Sequence, residues 1–144
     1  MNPNNSEVLA SLAWQLAYAG QWDRGVALIK KAQALNPDHP GWYHNALAMN
    51  HYRQGEYDQA AAEFANINNP GWWHMHVGTA ASYGQLGQKE AAQAAAKTLL
   101  DLKPDFLSDP RNLYCAVRNF PDELCEHLID GLRKAGLEIP PETQ

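Results

Sequence analysis

Six histidines, two cysteines and five tryptophans are the side chains here whose chemistry could go beyond packing. His44 and His51 stand seven apart. On one helix they share a face but lie about 10 Å apart along its axis, too far to hold one ion without a third element. His74 and His76 are two apart and point to different helical faces. No cysteine joins either pair, and no HExxH is present. Neither a metal nor another cofactor is therefore expected. His44 and His51 fall on a packing face and are candidates for pH sensing, because histidine charges near neutrality. Cys115 and Cys125 form no CxxC and read as two small buried apolar side chains on the last two helices. A bridge between them is geometrically open but disfavoured in a reducing compartment. Walker, GxSxG and GxGxxG loops are missing. Asp122-Glu123 and Glu126 have the place of helix-start charge, and Ser82 and Cys115 have no visible catalytic partner. The expectation is a protein that is not an enzyme.

The net charge is −5, and the 11 basic residues are scattered. Their tight groups, Lys30-Lys31 and Arg133-Lys134, sit near expected helix C-termini, where cations complement the helix dipole. Nucleic acid, which needs a clustered basic surface, is not an expected partner. No apolar run approaches the roughly 20 residues of a membrane helix, so no membrane partner is expected either. Met1-Asn2-Pro3-Asn4-Asn5 carries no signal core. These features lead us to expect a soluble cytoplasmic protein, or a soluble piece of a larger one. A chain of 144 residues makes one domain with a continuous core, here residues 1–137 followed by a tail over 138–144.

The elements that must position these side chains read as helices throughout. Leu9, Leu12, Ala13, Leu16 and Ala19 recur three or four apart after the capping residues Asn4-Asn5-Ser6. Gly20 stops that helix. A second spans Trp22 to Leu35 with Val26, Ile29, Ala32 and Leu35 as its stripe, and Asn36-Pro37 ends it. Pro40 suits the first turn of a third helix, which runs to about Gln54; a fourth runs from Tyr57 to about Ile67. Asn68-Asn69-Pro70-Gly71 is a turn. A fifth helix carries Val77, Ala80, Tyr83 and Leu86. A sixth carries Ala92, Ala95, Ala96, Leu99 and Leu102, and stops at Lys103-Pro104. Asp109-Pro110 opens a short helix through Leu113, Tyr114 and Val117. Pro121-Asp122-Glu123 opens a last one, ending at Arg133-Lys134-Ala135-Gly136.

The turns repeat. Gly20 and Gly55 are 35 residues apart, Gly55 and Gly87 are 32 apart, and Pro37 and Pro104 are 67 apart. A period of about 34 is that of helix–turn–helix tetratricopeptide units. The first unit, Leu9, Leu12-Ala13, Leu16, Gly20, Trp22, Gly25, Ile29, Ala32 and Leu35-Asn36-Pro37, resembles the tetratricopeptide consensus. The second keeps Leu47-Ala48, Gly55-Glu56-Tyr57, Ala60 and Phe64 but has Ile67 in place of the consensus alanine. The third keeps Ala80, Tyr83, Gly87, Ala92, Leu99, Leu102 and Pro104. The resemblance covers about residues 5–104, as repeats over 5–38, 39–70 and 71–104. A narrower likeness runs through Trp42-Tyr43-His44, Asn69-Pro70-Gly71-Trp72-Trp73, Lys103-Pro104-Asp105-Phe106 and Gly131 to Leu137. These phrases resemble the C-terminal tetratricopeptide segment of bacterial class III adenylate/guanylate cyclases and winged-helix transcriptional regulators.

The implied fold is all-α: a right-handed superhelix, or solenoid, of three hairpins, with capping helices over 109–136. In that family the first helix of each pair lines a concave groove. By register the groove would show Trp14 and Tyr18 from the first unit. The second would add Trp42, Asn45, Met49, Tyr52 and Arg53, and the third His74. Helical spacing agrees, because Trp14/Tyr18, Asn45/Met49 and Met49/Arg53 are four apart. An aromatic groove with one cation suits an extended peptide or a helix with apolar anchors. The function implied is a protein-interaction scaffold, binding a protein or peptide or pairing two copies through repeat edges and Trp72-Trp73. The alternative is a regulatory small-molecule sensor module of a signalling or transcription protein.

Overall fold

The structure, a computed structural model, describes residues 3–142 and contains no strand among them. Six helices form three hairpins: α1 (Pro3–Tyr18) with α2 (Trp22–Leu35), α3 (Tyr43–Arg53) with α4 (Tyr57–Asn66), and α5 (Trp73–Leu86) with α6 (Lys89–Leu102). Each hairpin turns on a glycine in the left-handed region, at Gly20, Gly55 and Gly87 with φ of 95°, 80° and 72°. A side chain there would be strained, so the repeated glycine is the repeated turn. The hairpins pack in sequence, α2 on α3 and α4 on α5.

Small residues set the packing distances. The buried stripe of α1 is Ser6, Ala10, Ala13 and Ala17, one position off the expected leucines. Leu12 is exposed, and Leu9 and Leu16 are only half-buried. The reason lies on α2: Gly25 approaches Ala13 and Ala17 so closely that any Cβ would collide with their backbone. Alanine fits that gap and leucine does not. Between the second and third hairpins, the fully buried Phe64 ring lies directly on Gly78.

Helix α3 starts at Tyr43 rather than at Pro40. Pro40 and Gly41 form the turn before it, with Tyr43 N–H donating to the Pro40 carbonyl and His44 N–H to that of Gly41. Gly41 is pressed against the backbone of Ile67, where no side chain fits. The short helix expected over 109–117 becomes a π-helical turn, Arg111–Cys115, and a 3-10 turn, Ala116–Arg118. Asn119, at φ 55°, ends it.

The last helix, α7 (Asp122–Lys134), has acids in its first turn, Arg133 and Lys134 in its last, and Gly136 at φ 102° beyond. Its placement departs from an end cap. It packs along α5, and the segment from Phe106 onward turns back over the face made by α1, α3 and α5. Phe120 reaches Tyr18 of α1, with ring centroids 4.5 Å apart. Tyr52 of α3 donates to the His127 carbonyl at 2.6 Å. Gly84 of α5 meets Gly131 of α7 backbone to backbone. Leu124, Leu128, Ile129 and Leu132 are buried in this seam. At about 2 kcal/mol per buried aliphatic side chain, the seam contributes on the order of the net stability of a whole domain. A cap with one polar face would not bury so much. The segment is a structural part of the core.

Cys115 and Cys125 are bonded to one another as a disulfide, not free as expected. The turn over 116–121 brings the end of the π-helical segment back beside the first turns of α7, which places the two sulfurs together.

Candidate functional site

Placing the eight expected groove residues on this fold divides them. Tyr18, Asn45, Met49 and Tyr52 are buried, because the C-terminal segment lies over the face they line. Tyr18 accepts a hydrogen bond from Asn45 at 3.0 Å and packs against Phe120. Tyr52 is held between His127, Tyr57 and Gln85. These side chains are therefore core residues, not an open binding surface. Arg53 is half-buried over the Trp22 ring, 4.9 Å from its centroid, and donates to Asn50. His74 stacks on Trp73 at 3.8 Å and approaches Tyr114 of the covering segment at 6.0 Å. Burial holds the His74 imidazole neutral, down to a pKa of about 3, with the charges of Arg118 and Lys103 acting in the same direction.

Trp14 and Trp42 remain accessible at the other end of that face. With Pro40, Gly41, Ile67, Asn69 and Trp72 they line a cleft of about 410 Å³. Three elements position it. Trp14 comes from the middle of α1, Trp42 sits just before α3, and Trp72 just before α5. The Trp14 and Trp42 rings are 5.9 Å apart and tilted at 51°, the offset geometry aromatic pairs prefer. The walls are apolar apart from Asn69 and the indole N–H groups. Such a cleft can take a compact apolar side chain and offers a few hydrogen bonds to fix its orientation.

Trp72 was expected to pair with Trp73 in a self-association patch. Both rings touch His74, at 4.9 and 3.8 Å between centroids, but their other surroundings differ. Trp73 lies against Phe106 and Tyr114 with Lys103 above its ring, while Trp72 faces the cleft. Sequence reasoning placed Trp72 beside a turn and missed its joining Trp14 and Trp42. The available signal was Pro40-Gly41-Trp42 recurring as Pro70-Gly71-Trp72, two copies of one turn before two helices of like role.

Three of the histidines pair with carboxylates or with each other. His39 and His44 share a hydrogen bond at 3.1 Å, and His44 Nδ1 meets Glu63 at 2.8 Å. His51 meets Glu56 at 2.9 Å. Among the described residues, no group of three or more His, Cys, Asp or Glu side chains is arranged to hold a metal ion. Comparison with family models, with curated proteins and with solved structures found no match.

Proposed function

We propose that this chain is a tetratricopeptide-type interaction module. In this reading it binds a protein partner by receiving an apolar anchor in the Trp14–Trp42–Trp72 cleft. The observation that carries the reading is the cleft itself: three tryptophans from three helical hairpins, brought together at the surface beside a face that is otherwise filled. Indoles supply large contact area at low entropic cost and dominate binding hot spots. The three in-phase glycine turns and the period of about 34 residues support the repeat assignment.

The test is selection from a displayed peptide library on the wild-type protein, with the Trp72→Ala variant used to measure dependence on the cleft. Circular dichroism and thermal melting of the variant establish that it folds. The expected outcome is a set of peptides sharing an apolar anchor, whose affinity falls about 30-fold, or roughly 2 kcal/mol, in the variant. Peptides that bind both proteins equally, or no enrichment at all, would refute the assignment. A small molecule that raises the melting temperature of the wild type but not of Trp72→Ala would favour the sensor reading.

No helix of the described residues is long and apolar enough to cross a membrane. The Cys115–Cys125 bond favours an oxidising compartment over the cytoplasm.

A further inference from the structure

His39 and His44 meet nitrogen to nitrogen. Their Nε2 atoms lie 3.1 Å apart, and among the described residues no other two imidazoles are joined in this way. The second nitrogen of each ring is already committed. His39 Nδ1 lies 2.9 Å from the Asn36 carbonyl oxygen, and His44 Nδ1 lies 2.8 Å from a Glu63 carboxylate oxygen. A carbonyl and an ionised carboxylate only accept, so both Nδ1 atoms donate. A neutral imidazole carries one N–H. Each Nε2 is then left with a lone pair, and the two lone pairs point at one another. Two neutral rings and a carboxylate therefore leave this contact one cation short.

Three elements hold the rings in place. His39 sits on the connection between α2 and α3, where it stacks on Tyr43 with centroids 5.3 Å apart and planes 16° apart. His44 lies in the first turn of α3, and Glu63 comes from α4. Neither ring is sealed from solvent. The His44 side chain keeps 19% of its surface exposed, and His39 is half-buried. In acid a proton can fill the gap. The other cation that two imidazole nitrogens bind well is a divalent transition metal. A metal–nitrogen bond of about 2.0–2.1 Å puts adjacent ligand nitrogens roughly 2.8–3.4 Å apart, from square to tetrahedral geometry. The observed separation falls inside that range. Metal-bound histidines also donate their second nitrogen to a carboxylate or a backbone carbonyl. His44 has the first kind of acceptor, and His39 the second.

We propose that His39 and His44 bind a divalent transition metal ion of the zinc, copper or nickel type through their Nε2 atoms, with water in the remaining positions. Asn36 and Glu63 are positioning residues that fix the two rings, and Glu63 brings a negative charge near the ion. No third His, Cys, Asp or Glu completes the set among the described residues, so the ion is exchangeable, unlike one in a closed structural site. Sequence spacing compared His44 with His51, seven residues further along the helix. Its partner stands five residues back, on a connection where helical periodicity gives no signal. The site lies apart from the tryptophan cleft and does not rest on the interaction-module reading.

The experiment strips the untagged protein with a chelator and titrates it with zinc and with nickel in mildly alkaline buffer. Calorimetry reads the stoichiometry, and imidazole NMR signals read which rings respond. The expected result is one equivalent of metal per chain, with the shifts centred on His39 and His44. His39→Gln and His44→Gln each abolish that equivalent, and Glu63→Gln weakens binding about 10–100-fold. His76→Gln, whose ring bonds the Pro70 carbonyl instead, keeps it. Circular dichroism checks that the variants fold. If His44→Gln does not, His39→Gln decides alone, since it alters a connection and no helix. The proposal is overturned if neither metal binds the wild type saturably, which leaves a proton as the bridging cation. It is equally overturned if His39→Gln retains the full equivalent, or if His76→Gln loses it. Unchanged affinity in Glu63→Gln would remove the positioning role assigned to that carboxylate.

Discussion

His74 links one side chain to the pH dependence of the whole molecule. Its ordinary pKa is 6.5, and burial lowers it to about 3 in the folded protein. Above pH 6.5 it is neutral in both states and contributes no pH dependence. Below 6.5 the unfolded chain takes up a proton that the folded one refuses, so stability falls as pH drops. His127 is depressed in the same direction, first by burial, and adds to the slope. Carboxylates such as Glu126, whose ordinary pKa is 4.5, act mainly below that value. Denaturation midpoints between pH 6.5 and 4.5 should decline in the wild type and decline less in His74→Gln. Identical slopes would mean that His74 is solvated in the folded protein. None of this was legible in the sequence, which singled out His44 and His51. Those two pair with Glu63 and Glu56, whereas His74 is set apart by a covering segment distant along the chain.

Among the elements, the hairpins were legible and the C-terminal segment was not. Glycine turns and proline stops are local signals, and they mark α2, α4, α5 and α6 within a residue or two. Whether an apolar stripe faces an end or a face depends on where the chain returns, which local pattern does not encode. Leu124, Leu128, Ile129 and Leu132 formed such a stripe, and its strength was the available clue that α7 is core. The Cys115–Cys125 bond ties the first turns of α7 to the end of the π-helical segment. Closing a loop of that size stabilises a fold by about 3 kcal/mol, or about 8 °C of melting temperature in a domain of this length. Dithiothreitol on the wild type and the Cys115→Ser/Cys125→Ser double variant should lower the melting temperature by the same amount. Reactive thiols in the untreated native protein would contradict the bond.

At the scale of the whole molecule, the first hairpin leaves an edge uncovered. Val8 and Leu12, one turn apart on α1, are 67% and 44% exposed. An apolar ridge at the end of a helical stack is where a second copy could continue it. Replacing both by glutamate should leave the melting temperature nearly unchanged, since neither is buried. If the ridge pairs two copies, sedimentation equilibrium will show the wild type heavier than the variant. Equal masses at all concentrations would assign the ridge to solvent. The sequence placed Leu12 in the core, because a leucine at helical spacing is ordinarily buried. It could not show that Gly25 leaves room only for alanine.

The return of α7 over the three hairpins also sets the order in which the protein can become complete during its synthesis. Tyr52 and Ala81 leave the ribosome long before His127 and Gly131, the α7 residues that will lie against them. At roughly 5–20 residues per second, that apolar face stays bare for several seconds on every nascent chain. A ribosome stalled ahead of α7 would hold a sticky, half-built molecule, and this is the stage at which a chaperone would have the most to grip.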